Sequence, residues 1–172
     1  MLFAKLKPSE TADCFYSYDF DAAAARGLKG LILDIDNTLV PHGAPADERC
    51  RNCLEKLKRK GLKMVVLSNN SEARAGSFAS AVGIPYLSGA GKPSPKGYRR
   101  ALEILGLPKE EVLCAGDQLL TDIWGANNAG IRSMLVVPID KSTDEIQIVL
   151  KRILEKIVVK KYLKKHSLIM KK

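Results

Sequence analysis

Apolar residues fall along this chain in short, nearly unbroken runs, and the stretches between them carry apolar positions three and four apart. The runs occupy 28–35, 62–68, 112–116 and 133–139, with a shorter candidate at 84–91. Helical spacing occupies 46–60, 71–82, 95–105 and 119–129, after an N-terminal arm that reads as polar. A run that is apolar at nearly every position suits a strand covered on both faces. Such strands alternating with helices pack as a parallel sheet between helical layers. The pattern predicts one α/β domain over 1–172, a three-layer Rossmann-like fold with a mainly parallel sheet and helices on both faces.

Polar residues gather where the runs end. Asp34 and Asp36 close the first, Ser68 and Asn69 the second, Asp117 follows 112–116, and Lys92 lies just past 84–91. In open α/β sheets ligands bind beyond the carboxyl ends of the strands, so these residues are candidates for a common site. The stretch LILDIDNTLV, residues 31–40, poses the sharpest problem. In an extended chain residues two apart share a side. Two carboxylates that close oppose each other's ionisation unless a cation or a shared proton lies between them. A metal site, a catalytic pair, or both would answer it.

Composition narrows the class. The chain has 172 residues, 46% hydrophobic and 27% charged, as in a soluble globular domain large enough for a sizeable core. No apolar run approaches the roughly 18 residues that span a bilayer, and the N-terminus lacks a signal-peptide pattern. A cytoplasmic protein is the expectation. Cys14, Cys50, Cys53 and Cys114 are too few and scattered for a disulfide framework. Cys50 and Cys53 form a lone CxxC on a helical stretch, which reads as reduced thiols rather than a zinc site.

The four motifs DIDNT, LSNN, GKPSP and GDQLLTD, in this order and each at a strand end, resemble those of the haloacid dehalogenase-like (HAD) phosphatases. The resemblance implies phosphomonoester hydrolysis through an aspartyl-phosphate. Asp34 would attack phosphorus, and Asp36 would protonate the leaving alcohol and then activate water. Mg²⁺ would be held by the Asp34 carboxylate, the Asp36 carbonyl and the Asp117 carboxylate, with Asp122 orienting the ligands around it. Ser68 and the Asn69 amide would bind phosphate oxygens, and Lys92 would offset the charge of the phosphate and of Asp34. Thr38 would touch substrate or only bond locally. Ser94 and Pro95 suit the cap and first position of a helix, fixing the loop that carries Lys92, and Gly116 leaves room for close backbone approach. His42 reads as a solvent-facing loop residue more readily than as a contact to the leaving group.

The spacings from Asp36 to Ser68 and from Ser68 to Lys92 leave room for one helix each and no cap domain. Longer stretches around the motifs resemble the YqeG-type branch, class IIIA, related to mitochondrial phosphatidylglycerophosphatases. That implies phosphatidylglycerophosphate as leading substrate, converted to phosphatidylglycerol. Soluble phosphomonoesters such as sugar phosphates or nucleotides stay open, as does a non-enzymatic basic module binding RNA or a ribosomal surface.

The formal charge of +9 sits mostly in the tail, where residues 145–172 hold nine Lys or Arg and two Glu. Residues 146–158 carry an apolar stripe that suits packing on the sheet. The lysines from Lys160 onward, interleaved with apolar residues, suit either an interfacial helix on anionic membrane or a solvated end. The tail lacks an aromatic stacking series, which argues against nucleic acid.

Overall fold

The apolar runs become the inner strands of one parallel sheet in the computed structural model, which describes residues 5–140. The basic amphipathic tail expected at about 145–172 lies outside the described residues. Six strands are present among the described residues: β1 (Glu10–Ala12), β2 (Gly30–Leu33), β3 (Lys63–Leu67), β4 (Tyr86–Leu87), β5 (Val112–Gly116) and β6 (Arg132–Val136). Their order across the sheet is β1-β6-β5-β2-β3-β4 and every pairing is parallel. Ile32 of β2 lies opposite Val65 on one side and Cys114 on the other.

Among the described residues five α-helices cover the sheet: α1 (Phe20–Ala25), α2 (Glu48–Arg59), α3 (Glu72–Val82), α4 (Pro95–Leu105) and α5 (Trp124–Asn128). Alternation along the strands sorts the core into two layers. Leu31, Leu33, Val66 and Leu113 pack with Leu54 and Leu57 of α2 and Phe78 of α3. Ile32, Val65, Leu67 and Cys114 face Tyr98 and Leu105 of α4 and Ala126 of α5. Full burial of one such aliphatic side chain contributes about 1.5–3 kcal/mol, so both faces resist exposure. Between β2 and β3 the chain has room for α2 alone, and between β3 and β4 for α3 alone.

Three elements differ from the expectation. The N-terminal arm is not merely polar, since it supplies edge strand β1, helix α1 and the fully buried Phe15. The run at 84–91 shrinks to two paired residues at the opposite edge. The helix expected over 119–129 divides into a π-helical turn, Leu119–Ile123, and the short α5. Its break has a cause: the Asp122 side chain folds back to accept from the Gln118 amide at 3.1 Å. Tyr98 Oη donates to the carbonyls of Thr121 (3.1 Å) and Asp122 (3.2 Å) from the neighbouring helix.

The strand order also locates a crevice. From central β2 the chain winds outward through β3 and β4, then returns on the other side with β5. The reversal lies between β2 and β5, where the loops after them diverge, and ligands of doubly wound sheets bind at such points. Asp34 and Asp117 follow those two strands.

Candidate active site

Strand β2 ends at Leu33, so its alternation does not carry through the two acids. The chain turns at once, with the amides of Thr38 (3.2 Å), Leu39 (2.9 Å) and Val40 (3.3 Å) all directed to the Ile35 carbonyl. Asn37 takes a left-handed φ of 62°, which asparagine tolerates better than most residues. Its carbonyl and side-chain oxygen accept from the amides of Ile139 (3.1 Å) and Asp140 (3.0 Å), tying the turn to the end of β6. Asp34 and Asp36 therefore leave this turn toward different partners, and the same-side geometry expected of them is replaced by two separate networks.

The first network is buried. Lys92 Nζ donates to Asp34 Oδ1 at 2.6 Å and to Asp122 Oδ1 at 2.7 Å. Carboxylate oxygens of Asp34, Asp117 and Asp122 lie within 4.8 Å of one another. The Lys92 and Asp122 side chains are only 4% and 2% exposed and that of Asp34 12%, so these charges have little water to rely on. Thr38 Oγ1 lies 3.2 Å from Asp34 Oδ2 and 3.5 Å from Asp117 Oδ1, and its single proton can serve one of them at a time. Burial pushes the Asp34 carboxyl up to about 8; Lys92 opposes this, and the negative charges of Asp122 and Asp117 add to it. Lys92 itself is shifted upward: burial works against its charge, and Asp122 and Asp34 more than compensate.

Gly116 permits this arrangement. A Cβ there would stand 2.3 Å from both Cβ and Cγ of Asp122, so no side chain larger than hydrogen fits while Asp122 holds its place. The sequence suggests close backbone approach at Gly116, and the close neighbour there is Asp122. On the loop carrying the lysine, the Asn69 amide grips the Lys92 backbone in both directions. Lys92 N donates to Asn69 Oδ1 at 2.8 Å, and Asn69 Nδ2 donates to the Lys92 carbonyl at 3.3 Å. Ser94 caps α4 and Pro95 opens it, as the residue types suggested.

The second network surrounds Asp36. Its Oδ1 accepts from the Gly43 amide at 2.9 Å and from Arg74 Nη2 at 2.8 Å, and its Oδ2 accepts from Asn70 Nδ2. Burial alone would raise this carboxyl; Arg74, Gly43 and Asn70 together bring it below its ordinary value. Arg74 was missed in the sequence, because a charged residue in a helix usually means a solvated face. Asn70 had only its place beside Ser68 and Asn69 to recommend it. Ser68 is buried, and its Oγ accepts from the Asn70 amide at 3.1 Å, which links the β3 loop to the Asp36 network.

The expected residues thus divide. Asp34, Thr38, Lys92, Asp117 and Asp122 form one bonded cluster, Asn69 props the lysine, and Asp36 and Ser68 belong to the neighbouring network. His42 is half-buried in the loop before Gly43. Cys50 lies in the core, where burial raises its thiol to about 11, and Cys53 is half-buried on the same helix.

The cluster suits a divalent cation on chemical grounds. Three carboxylates meet one ammonium, leaving an excess of two negative charges if all ionise, in a place where unpaired charge is costly. All three acids offer hard oxygen donors, the type that Mg²⁺ and Ca²⁺ take. Such a site can hold a metal beside one carboxylate poised for attack on an electrophile and one lysine positioned to neutralise an incoming anion.

Similarities to known proteins agree with the geometry. Residues 42–130 match the model of a family described as haloacid dehalogenase-like hydrolase. Over 118 residues the chain is 42% identical to a Bacillus subtilis (strain 168) protein named "Probable phosphatase YqeG", covering 68% of this chain and 69% of that one. It is 30% identical over 157 residues to the chloroplastic phosphatidylglycerophosphate phosphatase 1 of Chlamydomonas reinhardtii, covering 84% of this chain and 57% of the relative. The chain thus spans little more than half of that relative's length. A Streptomyces avermitilis MA-4680 protein assigned to the HAD hydrolases has a solved structure with the same fold. It gives a TM-score of 0.53 at 18% identity over 71% of this chain and 77% of that one.

Proposed function

The chain belongs to the haloacid dehalogenase-like hydrolases, and from that premise we propose that it is a Mg²⁺-dependent phosphatase with Asp34 as nucleophile and phosphatidylglycerophosphate as leading substrate. The observation that carries the reading is the Lys92 ammonium held between Asp34 and Asp122, inside a group of three acids at the sheet's reversal point. A buried lysine fixed against a carboxylate neutralises a phosphoryl group arriving at that carboxylate without having to move.

In this mechanism Asp34 attacks phosphorus and the bond to the leaving alcohol breaks, giving an aspartyl-phosphate. Asp36 supplies the proton to the departing oxygen and afterwards takes one from the water that hydrolyses the acyl-phosphate. Ser68 Oγ and the Asn69 amide hold phosphoryl oxygens, Asn69 also fixes the loop that aims Lys92, and Thr38 orients Asp34 or Asp117. Mg²⁺ held by the Asp34 and Asp117 carboxylates and the Asp36 carbonyl, with Asp122 adjusting the set, would spread the charge of the phosphoryl oxygens. The lipid substrate is supported by the relative that acts on phosphatidylglycerophosphate. Among the described residues no helix is long and apolar enough to cross a membrane. The proposed access to lipid is peripheral, from the cytoplasmic side, with the basic tail as the candidate contact.

The test is Mg²⁺-dependent phosphate release from phosphatidylglycerophosphate in mixed micelles, beside a panel of soluble phosphomonoesters and Asp34→Asn. A lipid preference lost in the variant supports the full reading. Turnover of soluble esters alone keeps the chemistry and removes the lipid. Absence of Asp34-dependent release from every ester overturns the proposal.

A further inference from the structure

Beside the Asp36 network a groove of about 390 Å³ opens between the loop after Gly43 and helix α3. Gly43 and Arg74 line it, and the same two residues hold the Asp36 carboxylate, so the groove begins where the candidate acid ends. Arg51 adds a second cation to the wall, Phe78 and Ala81 add apolar surface, and none of the lining residues is acidic. The volume falls in the usual range for small-ligand sites.

Arg74 is not placed like a solvated helix arginine. Its side chain is only 20% exposed, and its Nε is shut off from solvent without a hydrogen-bond partner among the described residues. A guanidinium offers five N–H donors in a planar fork suited to two oxygens of one anion. Asp36 takes one of the donors, which leaves capacity on a cation that forms part of the groove wall. Arg51 is also tethered, donating through Nη1 to the Ala46 carbonyl.

We propose that this groove seats a second anionic group carried by the leaving alcohol, a phosphodiester being the class it fits, with Arg74 as its main contact and Arg51 as a weaker one. The inference rests on the phosphatase reading and deepens it by stating which esters the site should select. A phosphomonoester whose alcohol bears a nearby diester would span both networks, its reacting phosphate at Asp34 and Lys92 and its diester at Arg74. A simple phosphomonoester would leave the groove unused.

The test compares kcat/KM for glycerol 3-phosphate and for glycerophosphoglycerophosphate, which is water-soluble and carries both groups, so that micelles and the tail do not enter. The wild type should favour the second by about tenfold to a hundredfold, the usual effect of one charge-assisted contact. In Arg74→Gln both rates should change because Asp36 loses a partner, yet the ratio between the two substrates should collapse toward one. Arg74→Lys should restore part of it, and Arg51→Gln should lower it severalfold. Glycerophosphoglycerol, the diester without a phosphomonoester, should inhibit p-nitrophenyl phosphate turnover in the wild type and less so in Arg51→Gln. That arm keeps the test decisive should Arg74→Gln fail to fold. A wild-type ratio near one, or a ratio unchanged in Arg74→Gln, overturns the inference while Asp34-dependent turnover of glycerol 3-phosphate leaves the phosphatase standing. Loss of Asp34-dependent turnover on every ester overturns both.

Discussion

Asp34 and Asp36 are two residues apart in one turn, and their surroundings push them in opposite directions. Asp34 lies among Asp117, Asp122 and Lys92, where burial and like charge raise its carboxyl to about 8 despite the lysine. Asp36 lies among the Gly43 amide, Asn70 and Arg74, three donors that outweigh its burial and lower it. The difference teaches that the roles of two identical side chains are assigned by what each turn of the neighbouring loops delivers. A site crowded with carboxylates suits a cation, and a carboxylate enclosed by donors is already satisfied. Without a cation the two shifts run against the proposed roles, since attack needs an ionised carboxylate and proton donation a protonated one. A cation beside Asp34 would lower its carboxyl and leave it ionised for attack.

The comparison is broken most severely at Asp34, the proposed nucleophile. Asp34→Asn should lower turnover by more than about 10⁴-fold, as expected for removal of an attacking group, with the fold retained by circular dichroism. Gly116→Ala attacks the same cluster from below without touching any charge. Its Cβ would require Asp122 to move, since the gap to Asp122 is 2.3 Å. Displacing a positioned group by about 1 Å can cost about a hundredfold, so phosphate release should fall by that order. Rates close to wild type in Gly116→Ala would mean that Asp122 is not needed where it stands.

Stability sharpens the contrast, because the two acids should give opposite signs. In the protein without added metal, folded Asp34 keeps a proton that the unfolded chain releases above its ordinary value of 3.8. Its contribution is complete below that value and is lost as the pH rises through about 8, so the melting temperature should fall on going from pH 6 to 9. Asp34→Asn should remove much of that fall and leave the metal-free protein as stable as the wild type or more so at pH 9. Mg²⁺ should flatten the wild-type profile. Asp36 has the reverse sign: its carboxyl is lowered on folding, so its contribution is present above the ordinary carboxylate range and lost as acid titrates it. Asp36→Asn should therefore destabilise the protein at neutral pH by about 1–3 kcal/mol, with Arg74 left short of a partner. Melting curves across pH with and without Mg²⁺ test both, and equal effects of the two variants would erase the distinction.

Much of the larger pattern was legible because it depends on burial. The inner strands β2, β3 and β5 are apolar along nearly their whole length, which only a sheet covered on both faces allows, and their polar ends marked Asp34, Ser68 and Asp117 in advance. Edge strands carry less signal: β1 is only three residues, Glu10–Ala12, and pairs on one side alone. Phe15 and Phe20 nearby are the signal of a buried segment, being aromatic residues in a polar arm. The site was legible where a motif supplied it and obscure where long-range geometry did. Arg74 reaches Asp36 from the first turn of α3, and nothing in helical spacing separates such an arginine from a solvated one. Lys92 could be expected to meet Asp34, but its second contact to Asp122 depends on a π-helical turn that periodicity reads as ordinary helix.

That turn gives the mildest test. Tyr98 is fully buried on α4, and its hydroxyl is shared between the Thr121 and Asp122 carbonyls. Its ring also packs against Gly125 so closely that a Cβ there would stand 2.4 Å from the ring. Tyr98 touches no reacting atom in the proposed chemistry, so it acts as a positioning residue for the segment that carries Asp122. Tyr98→Phe keeps the ring and removes one hydrogen bond, which should cost about 1 kcal/mol of stability. Turnover at saturating Mg²⁺ should stay within about threefold of wild type, while the Mg²⁺ needed for half-activation rises by about the same factor, a split expected of a residue that orders the metal's surroundings. Equal loss at all Mg²⁺ concentrations would mean that the turn serves the lysine rather than the metal. A loss as large as that of Gly116→Ala would mean that the hydroxyl, rather than the glycine's missing side chain, holds Asp122 in place.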